Sequence, residues 1–206
     1  MPVNVFNPKV QGMGIGLVGI GDPGVHIKRK HLWTLTAESN STKCPFRIDP
    51  YFVKVAARPN IDFEETELNF LNGRTWIPGK PTFQETSITI MDVSGNLTGS
   101  NGSQGIYQWL TNIYNFTSPT KQYMNSVRRE YTATVTLNLY DSCGTIIETW
   151  RLLDAWIKSA NFGDVDTSSS DTLDIEMTLR YSQISFNHYC PTLQLQDCCT
   201  PCGSSQ

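Results

Sequence analysis

The segment Tyr131-Thr132-Ala133-Thr134-Val135-Thr136-Leu137-Asn138-Leu139-Tyr140 alternates without a break: Ala133, Val135, Leu137 and Leu139 are apolar, and the residues between them are polar. Past a turn and a Trp-rich middle the pattern returns from Thr172 to Ser182. There Leu173, Ile175, Met177, Leu179 and Tyr181 face one way, and Asp174, Glu176, Thr178, Arg180 and Ser182 the other. A period of two puts successive side chains on opposite faces of a strand, so each segment has a dry face and a wet one. Such ribbons suit antiparallel sheets that cover a core on one side and meet water, or a polar lumen, on the other. The expected fold is mainly β: an antiparallel sandwich or partial barrel with one amphipathic helix.

The totals agree with that. At 206 residues, 39% hydrophobic and 17% charged, the chain is long enough for one large β domain with an ordinary core. A net charge of −3 argues against a dedicated nucleic-acid binder, which would carry a basic stripe. It leaves room for a mildly acidic surface past which nucleic acid slides. No apolar run reaches the roughly 18 residues that span a bilayer, so no membrane anchor is expected. The N-terminus lacks a basic segment followed by an apolar one, so no secretory signal is expected either.

Outward from the central stretch, three regions separate: a Gly-rich N-terminal arm (1–25), a β domain (26–188) and a Cys-rich tail (189–206). Strands are predicted over His26–Ala37, Tyr51–Ala57, Ile61–Phe70 and Phe83–Val93, with Lys28-Arg29-Lys30 as a solvated or intersubunit edge. Asn72-Gly73 is a strong hairpin signal, and Pro78-Gly79-Lys80-Pro81 a second punctuation. Ile106, Trp109, Leu110 and Ile113 fall on one helical face, with Ser103 as the expected cap and Ser118-Pro119 as the stop. Ile146, Trp150, Leu153 and Ile157 also suit a helix, but a strand to Leu152 is favoured, followed by a looped corner around Trp156 and an acidic, Ser-rich loop from Gly163 to Asp171.

Catalytic chemistry finds little to stand on. Gly14-Ile15-Gly16-Leu17-Val18-Gly19 matches a dinucleotide fingerprint, yet Gly21-Asp22-Pro23-Gly24 breaks the helix that must follow it. His26, His31 and His188 are scattered, without metal-ligand spacing. Glu64, Glu65 and Glu67 form a solvated charge run, and Asp164, Asp166 and Asp171 lack the calcium-loop pattern. No catalytic residue, cofactor or metal is expected, and the chain does not read as an enzyme. Four Asn-x-Ser/Thr sequons, at Asn40, Asn96, Asn101 and Asn115, carry no weight without a secretory route.

The cysteines are the sharpest chemical feature: Cys44, Cys143, Cys190, Cys198, Cys199 and Cys202. Reduced thiols, a metal site and disulfides are the open readings. Only Cys199-Thr200-Pro201-Cys202 has a zinc-like spacing, and the adjacent Cys198-Cys199 pair is awkward for tetrahedral coordination, which favours disulfides.

The order of segments resembles the tail tube proteins of contractile-tailed, T4-like bacteriophages and the related tubes of contractile injection systems. The resemblance runs from about His26 to Phe186. It rests on Lys30-His31-Leu32-Trp33-Thr34-Leu35, Trp76-Ile77-Pro78-Gly79, Phe83 to Ile90 and a helix ending near Phe116. It continues through Leu139-Tyr140-Asp141 and Glu148-Thr149-Trp150-Arg151-Leu152, and closes on Asp164-Val165-Asp166 and Asp174 to Tyr181. It implies hexameric rings whose sheets join across subunits into a continuous inner β-barrel, stacked into a hollow tube. The implied partners are further copies of the chain, the sheath protein, baseplate and tail terminator proteins, and the tape measure protein and transiting DNA in the lumen. The implied place is the virion tail, assembled in the host cytoplasm. On this reading Thr132, Thr134, Thr136, Asp174 and Glu176 are candidates to line the bore, with Arg180 an exception paired to a neighbouring carboxylate. The arm and the Cys-bearing tail depart from the family's pattern; the expectation is that both reach adjacent subunits and that the cysteines cross-link them.

A rival reading is a surface β-sandwich that binds carbohydrate or protein, with Trp76, Tyr107, Trp109 and Tyr114 as its platform.

Overall fold

In the computed structural model the first alternating segment is a strand over Ala133–Tyr140 in which every odd residue is buried and every even one half-buried. Threonine and β-branched or long aliphatic side chains suit that pleated, half-covered surface. The structure describes residues 28–43, 45–93, 102–116, 123–141, 144–168 and 170–189. His26, Gly14–Gly19, Ser118-Pro119 and all six cysteines lie outside them, as do most of the arm and tail.

The strands and helices, in chain order, are β1 (Trp33–Ser39), β2 (Arg47–Ile48), β3 (Val53–Ala56), β4 (Ile61–Phe70), β5 (Gly73–Phe83) and β6 (Thr86–Met91). Then follow α1 (Gly102–Ile113), β7 (Tyr114–Asn115), β8 (Tyr123–Met124), α2 (Arg128–Tyr131), β9 (Ala133–Tyr140), β10 (Ile146–Asn161), β11 (Asp174–Arg180) and β12 (Gln183–His188). The fold is mainly β and antiparallel, as the alternation implies. One eight-stranded sheet has the order β2-β1-β9-β10-β11-β6-β3, with β12 paired to β10, and among the described residues it does not close on itself. β4–β5 and β7–β8 are separate two-stranded pairs.

The described residues form two compact units. The larger comprises Thr34–Leu137 and Trp150–Phe186. Its core is built by the dry faces of β1 (Leu35, Ala37), β6 (Ile88, Ile90), β9 (Ala133, Val135) and β11 (Ile175, Met177, Leu179), with Ile106 and Trp109 of α1. Each such fully buried Val, Leu, Ile or Met contributes about 1.5–3 kcal/mol. Trp109 stacks on Phe46 with ring centroids 4.7 Å apart. The smaller unit, over residues 28–33, 138–141, 144–149 and 187–189, is tied by main-chain bonds from Tyr140 N to Leu32 O and Tyr189 N to Ile147 O, both 2.9 Å. Within it Lys28 pairs with the carboxylate of Glu148, which is 1% exposed. The first member of the basic run is therefore internally neutralised and not simply a solvated edge.

Four local expectations change. The looped corner at Trp156 does not form, because β10 runs on to Asn161 and pairs with β11 from Trp156 to Asn161, with one register shift between Ile157 and Ser159. Within the strand Asp154 takes φ 54, and aspartate is a residue type that tolerates the left-handed region. Ser103 lies inside α1, and it is the Asp92 carboxylate that accepts the Ser103 N–H at 3.1 Å. Pro78-Gly79-Lys80-Pro81 does not end a strand; it sits within β5 at an irregular register, where Gly79 lets Glu64 O come within 3.0 Å of its missing Cβ. The hairpin signalled by Asn72-Gly73 is present, but Phe70 pairs with Gly73, so its two-residue loop is Leu71-Asn72. The strand β12 was not foreseen.

Candidate functional site

The wet face of β11 meets the wet faces of its two neighbours. Opposed residues of antiparallel strands share a face. Glu176 therefore stands between Thr89 of β6 and Asn161 of β10, and Thr178 between Ser87 and Ser159. These six side chains line an open recess of about 330 Å³. Its walls are hydroxyls, one amide and one carboxylate.

Apart from Glu176, the charges of this face stand at its ends, in ion pairs. At one end Lys54 Nζ lies 2.5 Å from Asp174 Oδ1 and donates to Thr172 Oγ1 at 2.7 Å. At the other, Arg180 Nη2 meets Glu85 Oε1 at 3.0 Å, and Lys158 meets the same oxygen. Arg180 Nη1 also donates to Phe83 O at 3.2 Å. The Lys158 hydrogen bond chiefly, aided by Arg180, holds the Glu85 carboxyl below its ordinary pKa of 4.5, against a smaller opposing effect of desolvation. Glu176 makes no ion pair among the described residues and is exposed. A polyanion meeting this face finds a carboxylate in its middle and a single positive charge in excess at one end, where Lys158 and Arg180 share Glu85.

The candidate residues fall into two groups separated by β10 in the sheet. Asp174, Glu176 and Arg180 share the β11 face. On β9, Thr134 and Thr136 are half-buried, with Thr134 Oγ1 donating to Asn40 Oδ1 at 3.1 Å. Thr132 is 0% exposed and its hydroxyl accepts from Asn40 Nδ2 at 3.3 Å, so it leaves the exposed row. Glu85, Ser87, Thr89, Lys158 and Ser159 were missed. Ser87 and Thr89 were within reach, since they alternate with Ile88 and Ile90; Glu85 and Lys158 join the face only through pairing. The rival aromatic platform does not assemble: Trp109 is 0% exposed, while Trp76 lies on β5.

No family model matches the sequence, and no curated protein matches it. Solved structures do share its fold. A chain of the anti-feeding prophage baseplate, determined with six-fold symmetrisation, is 16% identical with a TM-score of 0.56, covering 80% of this chain and 97% of that one. A chain of the anti-feeding prophage tube-terminating cap is 16% identical with a TM-score of 0.55, over 80% and 93% of the two chains. A chain from the sheath–tube complex of PVC, an extracellular contractile injection system, in its extended state is 16% identical with a TM-score of 0.53, over 84% and 97%.

Proposed function

We propose that the chain is a structural tail tube protein: copies close into hexameric rings, the rings stack, and the tube conducts viral DNA when a surrounding sheath contracts. One observation carries the reading. The sheet is open, and the long hairpin β4–β5 has almost every residue exposed, including Phe63, Phe70, Leu71 and Trp76. An isolated two-stranded hairpin is marginal in water, and open sheet edges invite pairing, so both features call for further copies of the chain. The fold shared with baseplate, cap and sheath–tube chains supports the same assembly, and the six-fold symmetry of one of those particles supports its ring size.

The hydroxyl-rich β11 face, with Asp174, Glu176 and an Arg180 held by Glu85, then lines the bore, and Thr134 and Thr136 of β9 are the further lumen candidates. Phosphates pass it without being held, because retention would need several cations that release counterions. The role is conduction, with sheath, baseplate, terminator and tape measure proteins as partners, in a virion tail assembled in the host cytoplasm. The cysteines, as disulfides between subunits, would clamp the finished particle.

Negative-stain electron microscopy of the concentrated protein tests this. Rings or hollow filaments are expected; a chain that stays monomeric in sedimentation at millimolar concentration overturns the reading. Phe70→Ser with Leu71→Ser should leave the melting temperature of the isolated chain within about 2 °C while shortening filaments, since surface changes cost little stability.

A further inference from the structure

Opposite in sign, a basic recess and an acidic loop lie well apart on the larger unit. The recess, about 510 Å³, is lined by Asn40, Arg128, Arg129, Thr132 and Asp154. Arg128 is occupied within the chain: its Nη2 lies 3.4 Å from Asp154 Oδ2 and it donates to Ser182 Oγ. Arg129 is held only through Nε, which donates to Asn40 O at 3.2 Å. Its side chain is exposed, and its outer nitrogens have no partner among the described residues.

The loop Gly163-Asp164-Val165-Asp166 leaves the end of β10 in a preset shape. Gly163 N donates to Asn161 Oδ1 at 3.1 Å. Gly163 has φ 75, and a Cβ there would meet Asp174 O at 2.9 Å, so only glycine makes this exit. Asp166 accepts from Ser168 N at 2.9 Å and Ser168 Oγ at 2.8 Å, closing the turn. Asp164 has no ion pair among the described residues, and beside it Val165 stands 84% exposed. The result is a fixed acidic finger with an apolar tip, and one carboxylate to spare.

The finger is badly placed for the recess of its own chain. Asn161 lies seven residues beyond Asp154 on the same strand, about 23 Å at the rise of an extended chain. We propose that the finger of one copy docks in the recess of the next, with Asp164 pairing Arg129 across a head-to-tail subunit interface. This rests on the tube reading and names a contact that would join neighbours within its ring. A head-to-tail contact of this kind generates closed rings when its rotation closes. Both partners are already shaped, so little ordering is lost on docking.

A double-mutant cycle on the full-length protein tests it, read as the concentration at which half the chains sediment as assemblies. Arg129→Glu and Asp164→Lys should each raise that concentration about tenfold. The double variant, with both charges exchanged, should return to within about threefold of the wild type. Unchanged circular dichroism and melting temperature in each single variant exclude misfolding as the cause. Additive losses in the double variant, or no loss in either single one, overturn the contact while wild-type rings leave the tube reading standing. A wild-type chain that never assembles overturns both.

Discussion

Trp109 bridges two distant parts of the larger unit: its ring stacks on Phe46 at 4.7 Å, and its Nε1–H donates to Tyr131 O at 2.8 Å. The indole thus fastens α1 to the end of α2, just before β9. Trp109→Ala should cost about 3–5 kcal/mol, the usual range for emptying a buried aromatic site. Trp109→Phe restores most of the packing but orphans the Tyr131 carbonyl, so it should cost about 1–3 kcal/mol. Urea unfolding gives both numbers, and a Trp109→Phe midpoint equal to the wild type's would contradict the hydrogen bond's part.

Two glycines with positive φ should respond differently to the same change. Gly144 (φ 81) has open space where a Cβ would go, so Gly144→Ala should cost only the backbone penalty of about 1–2 kcal/mol. At Gly163 the same penalty is joined by the collision with Asp174 O, and about 3 kcal/mol is expected. Thermal melts ranking Gly144→Ala as the more damaging change would refute this.

Glu85 gives the acid limb a specific cause. Its folded pKa is depressed below 4.5, first by the Lys158 hydrogen bond, so the stability it contributes is present above about pH 4.5 and is lost as pH falls through the lower folded value. Glu85→Gln should therefore melt below the wild type by a constant margin from pH 5 to 7, roughly, and the margin should shrink below about pH 4.5. A margin that stays constant down to about pH 3 would disprove the assignment.

Reversing the one free carboxylate of the wet face separates conduction from mere folding. Glu176→Lys places a cation between Thr89 and Asn161 without touching the core. Assembly and melting temperature should stay near wild type, while the assembled tube gains DNA binding that weakens as salt rises from about 50 to 200 mM. Filter binding across that range reads it; wild-type behaviour at low salt would place this face away from the DNA.

The sequence alone settled which side chains of β6, β9 and β11 point inward, because alternation is a local property of a strand and needs no partner to be read. It also marked the β4–β5 hairpin and the helix carrying Ile106 and Trp109, each from short-range spacing. Tertiary structure decided the rest. Ile146 to Ile157 suits a strand or a helix by its own pattern, and the continuous β10 follows from pairing with β11. Arg180 finds Glu85, and Asp92 rather than Ser103 meets the first turn of α1, only once strands remote in sequence are set in register. That register is chosen by how the dry faces pack together, and the wet side chains are carried into their groupings by a force that acts on the opposite side of the sheet.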